Sequence, residues 1–561
     1  MPRPRCPSVL AHLIRQSRRL LTAATLASVA AGVCSVLLLT RINAALVASD
    51  PAERTALAWG FAVIALLAMV SRMLSSVLFE RLGQYAHAEL RRFVSARVMA
   101  TDFRRLEEIG GPRVLSALSE HCARVADFFV GFPAILVNAI VVVGCLVYMA
   151  WLSWSIFFVA AVVIGLGSLG YHLAHLWAIR HLDAASREQD RLFGHFRALV
   201  DGAKELRLHA SKRERFARDV LGASIEEVRR ERTRGSSIFL ASSAWGNFLI
   251  YAFIGLVLFV LVGEVPERER IMTGFALVFV FMVSPLENLL LVLPRANLAK
   301  VSAQRIDEIT RELQPGGAEA PTRSPAAFAS LSLEGVSHRY YHEAADEVFT
   351  LGPVDLDFSP GQISFLVGGN GSGKTTLAKL LVGLYRPEEG AIRIDGEAVE
   401  EAGLDGYRQL FSAIFSDFHL FDRLLDVPSA DLDARGNVLL AKLHLQHKVQ
   451  VRDGAFTTRA LSQGQRKRLA LVVAYLEDRP FLVFDEWAAD QDPLFKEVFY
   501  CELLPELKAM GKAVLVISHD DRYFHLADRV IRMENGQVVA IEKPDRHPLA
   551  EPRSLESSLP S

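Results

Sequence analysis

Two stretches of the chain carry residue types whose spacing can do phosphate chemistry. The first is "ISFLVGGNGSGKTTLAKLLVGL", 363–384, which contains Gly-x4-Gly-Lys-Thr from Gly368 to Thr375. Glycines let a backbone curl until its N–H groups point at phosphate oxygens, and a helix starting at the end of the loop adds a favourable dipole. Lys374 can bridge terminal phosphates, and the Thr375 hydroxyl can ligate magnesium. The second stretch is "FDEWAADQDP", 484–493, which packs in Asp485, Glu486, Asp490 and Asp492. So much negative charge fits a calcium loop, a pair of catalytic acids, a solvated acidic turn, or the metal-and-water end of a phosphate site. The calcium loop is excluded locally, because the stretch lacks the central glycine and the correctly spaced distal glutamate.

The elements that must position these residues are short apolar strands. "ISFLV" precedes the glycine loop and "FLVF" precedes Asp485, so both stretches begin where a buried strand ends, and the first continues into a helix. Upstream, "QPGGAEAPTRSPAAF", 314–328, has linker chemistry. Before it the pattern changes to long apolar runs, roughly 20–40, 56–79, 128–151, 154–178, 237–262 and 271–293. Each is long enough to cross about 30 Å of hydrocarbon at about 1.5 Å per residue. Because several comparable runs come after it, the first run, preceded by Arg15, Arg18 and Arg19, reads as a span and not as a signal peptide.

The connections between runs set the orientation. Arg180 to Arg234 carries more than a dozen Lys and Arg, and Arg81 to Arg105 carries several, whereas little more than "LSW" joins the third and fourth runs. Basic connections favour the cytoplasm, so both termini are expected there. The long basic connections read as helices, with short turns near Phe103 to Leu106 and Leu206 to Arg215 expected to dock on the soluble part. Asn138, His172, His175, Asn247 and Glu287 are the candidate cavity residues of the spans. Lys and Arg number 62 against 63 Asp and Glu, so no global basic character argues for nucleic acid. Cys6, Cys34, Cys122, Cys145 and Cys501 have neither disulfide nor zinc spacing.

Downstream motifs then resemble one family. "LSQGQ" (461–465) is similar to the LSGGQ-type signature of ATP-binding cassette transporters with one change, at Gln463. "FLVF" with Asp485 and Glu486 resembles its Walker B strand and catalytic glutamate, "VLVISHDD" its switch histidine at His519, and "VSHRY" its adenine-stacking aromatic at Tyr340. The resemblance implies an ATP site made of Tyr340, Gly368, Gly369, Asn370, Gly371, Ser372, Gly373, Lys374, Thr375 and Thr376. Asp485 and Thr375 would hold Mg2+, and Glu486 and His519 would act on the attacking water and the γ-phosphate. Ser462, Gln463, Gly464 and Gln465 would close over the nucleotide of a second copy, and Asp492 would be the D-loop aspartate at that interface. Asp490 is left as a solvated turn residue. The family's usual magnesium-touching glutamine is replaced by Ser416 in "FSAIFSDFHLFD", with Asp417 beside it, so Ser416 is carried as a candidate ligand. The interval of about 45 residues from there to "LSQGQ" implies a reduced helical subdomain.

"FSDFHLFD", "DEWAADQDPLFKEVFY", "ISHDDRYFHLADR", "GAKELRLH" and "SPLENLLLVLPRANLAKVSAQRI" together resemble the bacterial cyclic-peptide and siderophore-precursor exporters, of the pyoverdine and syringomycin type, over about residues 10–543. The expected fold is an all-α six-helix transmembrane domain (1–313), a linker (314–328), an α/β P-loop cassette (329–545) and a disordered tail (546–561). The expected function is ATP hydrolysis coupled to export, by a homodimer in the bacterial inner membrane, of a cyclic peptide, lipopeptide or siderophore precursor. Its partners would be membrane lipid, peptide-like cargo and a second copy. The alternatives are a lipid or multidrug exporter of the same architecture and a membrane-anchored regulatory ATPase. Leader-peptide processing is not expected, since fewer than 20 residues precede the first span. Import is disfavoured by the fusion of membrane and ATPase parts.

Overall fold

Among the described residues, six helices long and apolar enough to cross a membrane fall where the apolar runs lie. They are contained in α1 (Arg18–Val47), α2 (Pro51–Met99), α4 (Gly111–Leu152), α5 (Trp154–Asp201), α6 (Ala210–Leu256) and α7 (Arg268–Glu312), with a short α3 (Phe103–Ile109) between the second and third. These come from a computed structural model that describes residue 15 and residues 17–48, 50–257, 259, 268–313, 327–342, 347–425 and 431–544. The expected linker and tail lie almost wholly outside the described residues. Two units separate: Met1–Ala96 with Pro112–Arg311, and Arg97–Gly111 with Glu312–Ser561.

Within the membrane unit, α2 runs on past its apolar stretch through the charged segment to Met99, so span and extension are one helix. α5 and α6 pack against each other, stapled by His181 Nδ1 and Glu231 at 2.7 Å and by Ser224 Oγ donating to Glu188 at 2.8 Å. An aromatic contact between Phe253 and Phe279, with ring centroids 4.5 Å apart, sits in the apolar core. Several buried polar groups pair across helices, which offsets the cost of shielding them from water. Asn43 Nδ2 donates to Tyr148 Oη at 2.8 Å, Thr273 Oγ1 donates to Asn43 Oδ1 at 2.8 Å, and the Ser28 and Ser75 hydroxyls meet at 2.6 Å. A cavity of about 440 Å3 is lined by Arg124, Asp127, Phe128 and Ile135 of α4 and Leu298 of α7.

In the cassette unit, β1 (Leu331–His342), β2 (Glu347–Phe358), β4 (Glu389–Ile394) and β5 (Glu397–Ala398) form an antiparallel sheet in the order β2-β1-β4-β5. The second sheet joins β3 (Ile363–Gly368), β6 (Phe411–Ile414), β9 (Phe481–Asp485), β10 (Ala513–Ile517), β11 (Arg529–Glu534) and β12 (Gln537–Glu542) in the order β12-β11-β3-β10-β9-β6. β3, β9 and β10 at its centre are parallel and almost wholly apolar because both faces are covered. Leu482, Phe484, Val514 and Val516 enter one core, while Phe481, Val483, Leu515 and Ile517 enter the other. Between β6 and the signature, the described residues hold one α-helix, α9 (Leu432–Lys442), and a two-stranded hairpin, β7 (Val451–Arg452) with β8 (Ala455–Phe456). The helical subdomain is accordingly small. Two helices matter for the site: α8 (Lys374–Leu381) and α10 (Gln463–Glu477).

Of the two turns expected to dock, α3 belongs to the cassette unit. Glu107 accepts from Lys379 Nζ at 2.8 Å and from Tyr385 Oη at 2.5 Å, Arg386 meets Asp102 at 2.9 Å, and Arg104 meets Glu388 at 3.2 Å. Burial alone would pull the Lys379 ammonium down, but the hydrogen bond to Glu107 and neighbouring charge hold it above its ordinary value. The second expected turn lies in the membrane unit, as the short helix Ala203–Leu208 and the first residues of α6, Ala210–Arg215.

Candidate functional site

Parallel strands end together, so the loops that leave their C-terminal ends must converge. Ile517 of β10 is in register with Leu366 of β3 and with Asp485 of β9, and Ile414 of β6 is in register with Phe484. The glycine loop after β3, His519 after β10, Glu486 after β9 and Ser416 after β6 therefore share one edge of the sheet.

The loop adopts the expected curl. Gly373 has φ 96°, in the left-handed region that favours glycine, and gives way to α8 at Lys374. Lys374 is buried, and its ammonium donates to the carbonyls of Gly368 and Gly369 at 3.0 and 2.9 Å. Burial lowers its pKa, opposed by the charges of Glu486 and Asp485. Thr375 Oγ1 donates to Asp485 Oδ2 at 3.0 Å, bringing together the two residues expected to share a magnesium ion. Burial raises the Asp485 carboxyl above the usual carboxylate range, the Thr375 hydrogen bond opposes this, and the Ser416 backbone N–H also favours the charged form. Ser416 thus reaches the site through its backbone, which the register of β6 explains and the residue type did not announce. Thr376 comes next on α8, Gly369, Asn370 and Gly371 form the exposed crest of the loop, and Ser372 is buried beneath it. Tyr340 lies on β1 opposite Phe349; its side chain is outside the described residues.

Glu486 sits just beyond β9 with φ 50°, and His519 Nε2 is 3.3 Å from its Oε1. The two residues line a cavity of about 320 Å3 with Tyr500, Ser518 and Asp520. Trp487 turns inward, fully buried against Phe499 at 4.4 Å between centroids, so it is a packing residue of this turn.

The signature residues begin α10. Ser462 Oγ accepts the Gln465 backbone N–H at 3.4 Å, and Gln465 Oε1 accepts the Ser462 N–H at 3.3 Å, a reciprocal cap that starts the helix. Asp492 caps the next helix by accepting the Phe495 N–H at 2.9 Å and is paired with Arg468. The Phe495 N–H and the Arg468 charge hold its carboxyl below the usual range. Asp490 is the exposed turn residue expected, but it also has partners: its carboxylate lies 2.8 Å from Lys467 Nζ and accepts from Gln463 Nε2 at 3.1 Å. Sequence reading missed this, although a lysine inside an apolar helix face is a signal that a carboxylate must be near.

The candidate cavity residues of the spans are not brought to one place by the described contacts. His172 is exposed, and the side chains of His175 and Asn247 are outside the described residues. Asn43, which no sequence signal flagged, is the buried polar hub instead.

A helical unit with six membrane-length helices, joined to a nucleotide-binding P-loop cassette, defines a class of membrane-embedded ATPase. The family model described as "ABC transporter" matches residues 351–489, and that described as "ABC transporter transmembrane region" matches residues 20–283. The chain is 33% identical over 550 residues to the "ATP-binding protein SyrD" of Pseudomonas syringae pv. syringae, covering 95% of this chain and 96% of that one. It is 27% identical to an ATP-dependent lipid A-core flippase of Cupriavidus metallidurans over 72% of this chain and 69% of that one. Among solved structures it is similar to a bacterial Atm1-family ABC exporter with ATP bound, at a TM-score of 0.72 and 16% identity, covering 94% of this chain and 95% of that one. The chain belongs to the ABC transporter family. It is a multi-pass membrane exporter that binds ATP and couples its hydrolysis to transport.

Proposed function

We propose that the chain acts as a homodimer in the bacterial inner membrane, with both termini and the cassette cytoplasmic, and exports a cyclic peptide, lipopeptide or siderophore precursor. The observation that carries the cargo class is the resemblance of the cassette and membrane motifs to cyclic-peptide exporters. The match to the ATP-binding protein SyrD runs through both units, at higher identity and wider coverage than the flippase match. The cavity between α4 and α7, with an apolar wall and one charge of each sign from Arg124 and Asp127, suits an amphiphilic peptide-like molecule.

The hydrolytic roles derive from the convergence at the strand ends. Lys374 and the loop N–H groups hold the β- and γ-phosphates, while Tyr340 supports the adenine. Glu486 orients the attacking water and accepts its proton, and His519, within reach of Glu486, contacts the γ-phosphate. Thr375 and Asp485 would hold Mg2+, with Ser416 at the margin. Their hard oxygen donors, and a buried carboxylate short of compensating charge, fit that ion. When bound, it neutralises charge on the transferring phosphoryl group. Ser462, Gln463, Gly464 and Gln465 complete the site of the second copy, and Asp492 stands at the interface. α3, fixed to the cassette by Glu107 and Asp102, carries nucleotide-driven movement to α2, whose chain continues directly into it.

The lipid A-core flippase relatives favour a second reading, lipid export. ATP-dependent accumulation in inside-out vesicles separates the two. A cyclic lipopeptide should accumulate with the wild-type chain and not with Glu486→Gln. Accumulation of a labelled lipid but of no peptide would replace the first reading with the second.

A further inference from the structure

Lys467 lies in α10 with a side chain only 4% exposed. A buried ammonium persists only where a counter-charge and hydrogen-bond acceptors meet it. Its Nζ donates to the backbone carbonyl of Glu486 at 2.8 Å and lies 2.8 Å from the Asp490 carboxylate. The Glu486 backbone is in the left-handed region at φ 50°, a conformation that a non-glycine residue keeps only when its surroundings impose it. Lys467 holds the outgoing carbonyl of that residue.

Other bonds join the same two segments, the first two donated in the opposite sense. Trp487 Nε1 donates to the Lys467 carbonyl at 2.8 Å, and Gln491 Nε2 donates to the Gly464 carbonyl at 3.0 Å. Asp490 also accepts from Gln463, the residue next to the signature serine. A Cβ on Gly464 would stand 2.9 Å from the Asp490 carbonyl, so the two backbones approach as closely as glycine allows. The start of α10 and the turn 486–491 are therefore one laced body, with the Lys467–Asp490 pair as its charged element.

We propose that Lys467 and Asp490 are positioning residues for hydrolysis: the pair fixes the backbone turn of Glu486 and ties it to the signature end of α10. In a dimer, the carboxylate serving one ATP site and the signature serving the other then move together. The inference rests on the reading of Glu486 as the hydrolytic carboxylate. A merely structural pair would lower stability and leave the turnover of folded molecules alone, whereas a positioning pair lowers kcat with little change in nucleotide affinity.

The test uses the full-length chain in lipid nanodiscs, with kcat, KM for ATP and binding of a fluorescent ATP analogue measured for Asp490→Asn, Lys467→Gln, the double variant and Glu486→Gln. Rates are referred to the analogue-binding fraction. Asp490→Asn, a near-isosteric change at a side chain that is 41% exposed, should lower kcat about tenfold or more with KM within about threefold. The double variant should be no slower than the slower single variant, because the two residues act as a unit. A kcat for Asp490→Asn within about threefold of the wild type, or a loss confined to KM, overturns the proposal. If Glu486→Gln itself still turns over, the hydrolytic reading fails. If that variant is inactive while Asp490→Asn runs at full rate, only the positioning pair is removed.

Discussion

The glycine loop and the signature turn are two helix starts in one cassette, and they differ in how each is closed. α8 begins at Lys374 with no side-chain cap, and its lysine folds back on the loop carbonyls of Gly368 and Gly369. α10 begins with its own reciprocal cap from Ser462 and Gln465 and is anchored behind by Lys467. The first is a site that a ligand completes, with the Thr375–Asp485 pair across from it in the same chain. The second is already satisfied locally, which suits the proposed role of closing over a nucleotide held by the loop of another copy. On that proposal one cassette holds a binding face and a closing face, with the charged lacing around Asp490 tying the closing face together.

Substitutions at the two faces separate these roles most sharply. Lys374→Ala removes charge-assisted bonds to phosphate and should weaken ATP binding by about a hundredfold or more in equilibrium titration. Ser462→Arg should leave that affinity within about threefold while turnover falls at least about tenfold. Equal losses of affinity in the two variants would erase the distinction.

Smaller effects test the supports. Asn43→Leu in the membrane unit removes hydrogen bonds to Tyr148 and Thr273. It should cost about 0.6–1.7 kcal/mol of membrane-unit stability in a denaturant titration, without altering ATP affinity. Asp492→Ala removes a helix cap and should cost the cassette about 1 kcal/mol at neutral pH. The pH dependence has a definite sign. The folded Asp492 carboxyl sits below the ordinary aspartate value of 3.8, so its stabilisation is present above that pH and is lost as pH falls through the lower folded value. The gap between wild type and variant should close on acidification below pH 3.8 in thermal melts.

How much could be read in the sequence depended on how local the cause was. The glycine loop was legible because its spacing and the adjoining strand and helix are contiguous, and the six spans because apolar length alone signals them. Glu486 and His519 were legible as motif positions, but their 3.3 Å approach depends on the register of β9 and β10. The Lys467–Asp490 pair, the inward turn of Trp487 and the clasp of Glu107 on Lys379 and Tyr385 join residues distant in sequence, where no periodicity links them. Asn43 was hidden for a related reason: it follows Arg41 just past the first apolar run, where an amide looks alike whether it bonds across helices or faces a headgroup.

The central claim is that two copies of this chain share each ATP site, the glycine loop of one facing the signature of the other. Replacing the five native cysteines, placing one cysteine at the exposed Asn370 and one at Gln463, and adding an oxidant to the Glu486→Gln chain in nanodiscs tests it directly. ATP should drive formation of a covalent species of twice the chain mass, with little formed when nucleotide is omitted. A chain that stays at single mass with ATP bound, while the wild type hydrolyses ATP at full rate as a monomer, would contradict the account.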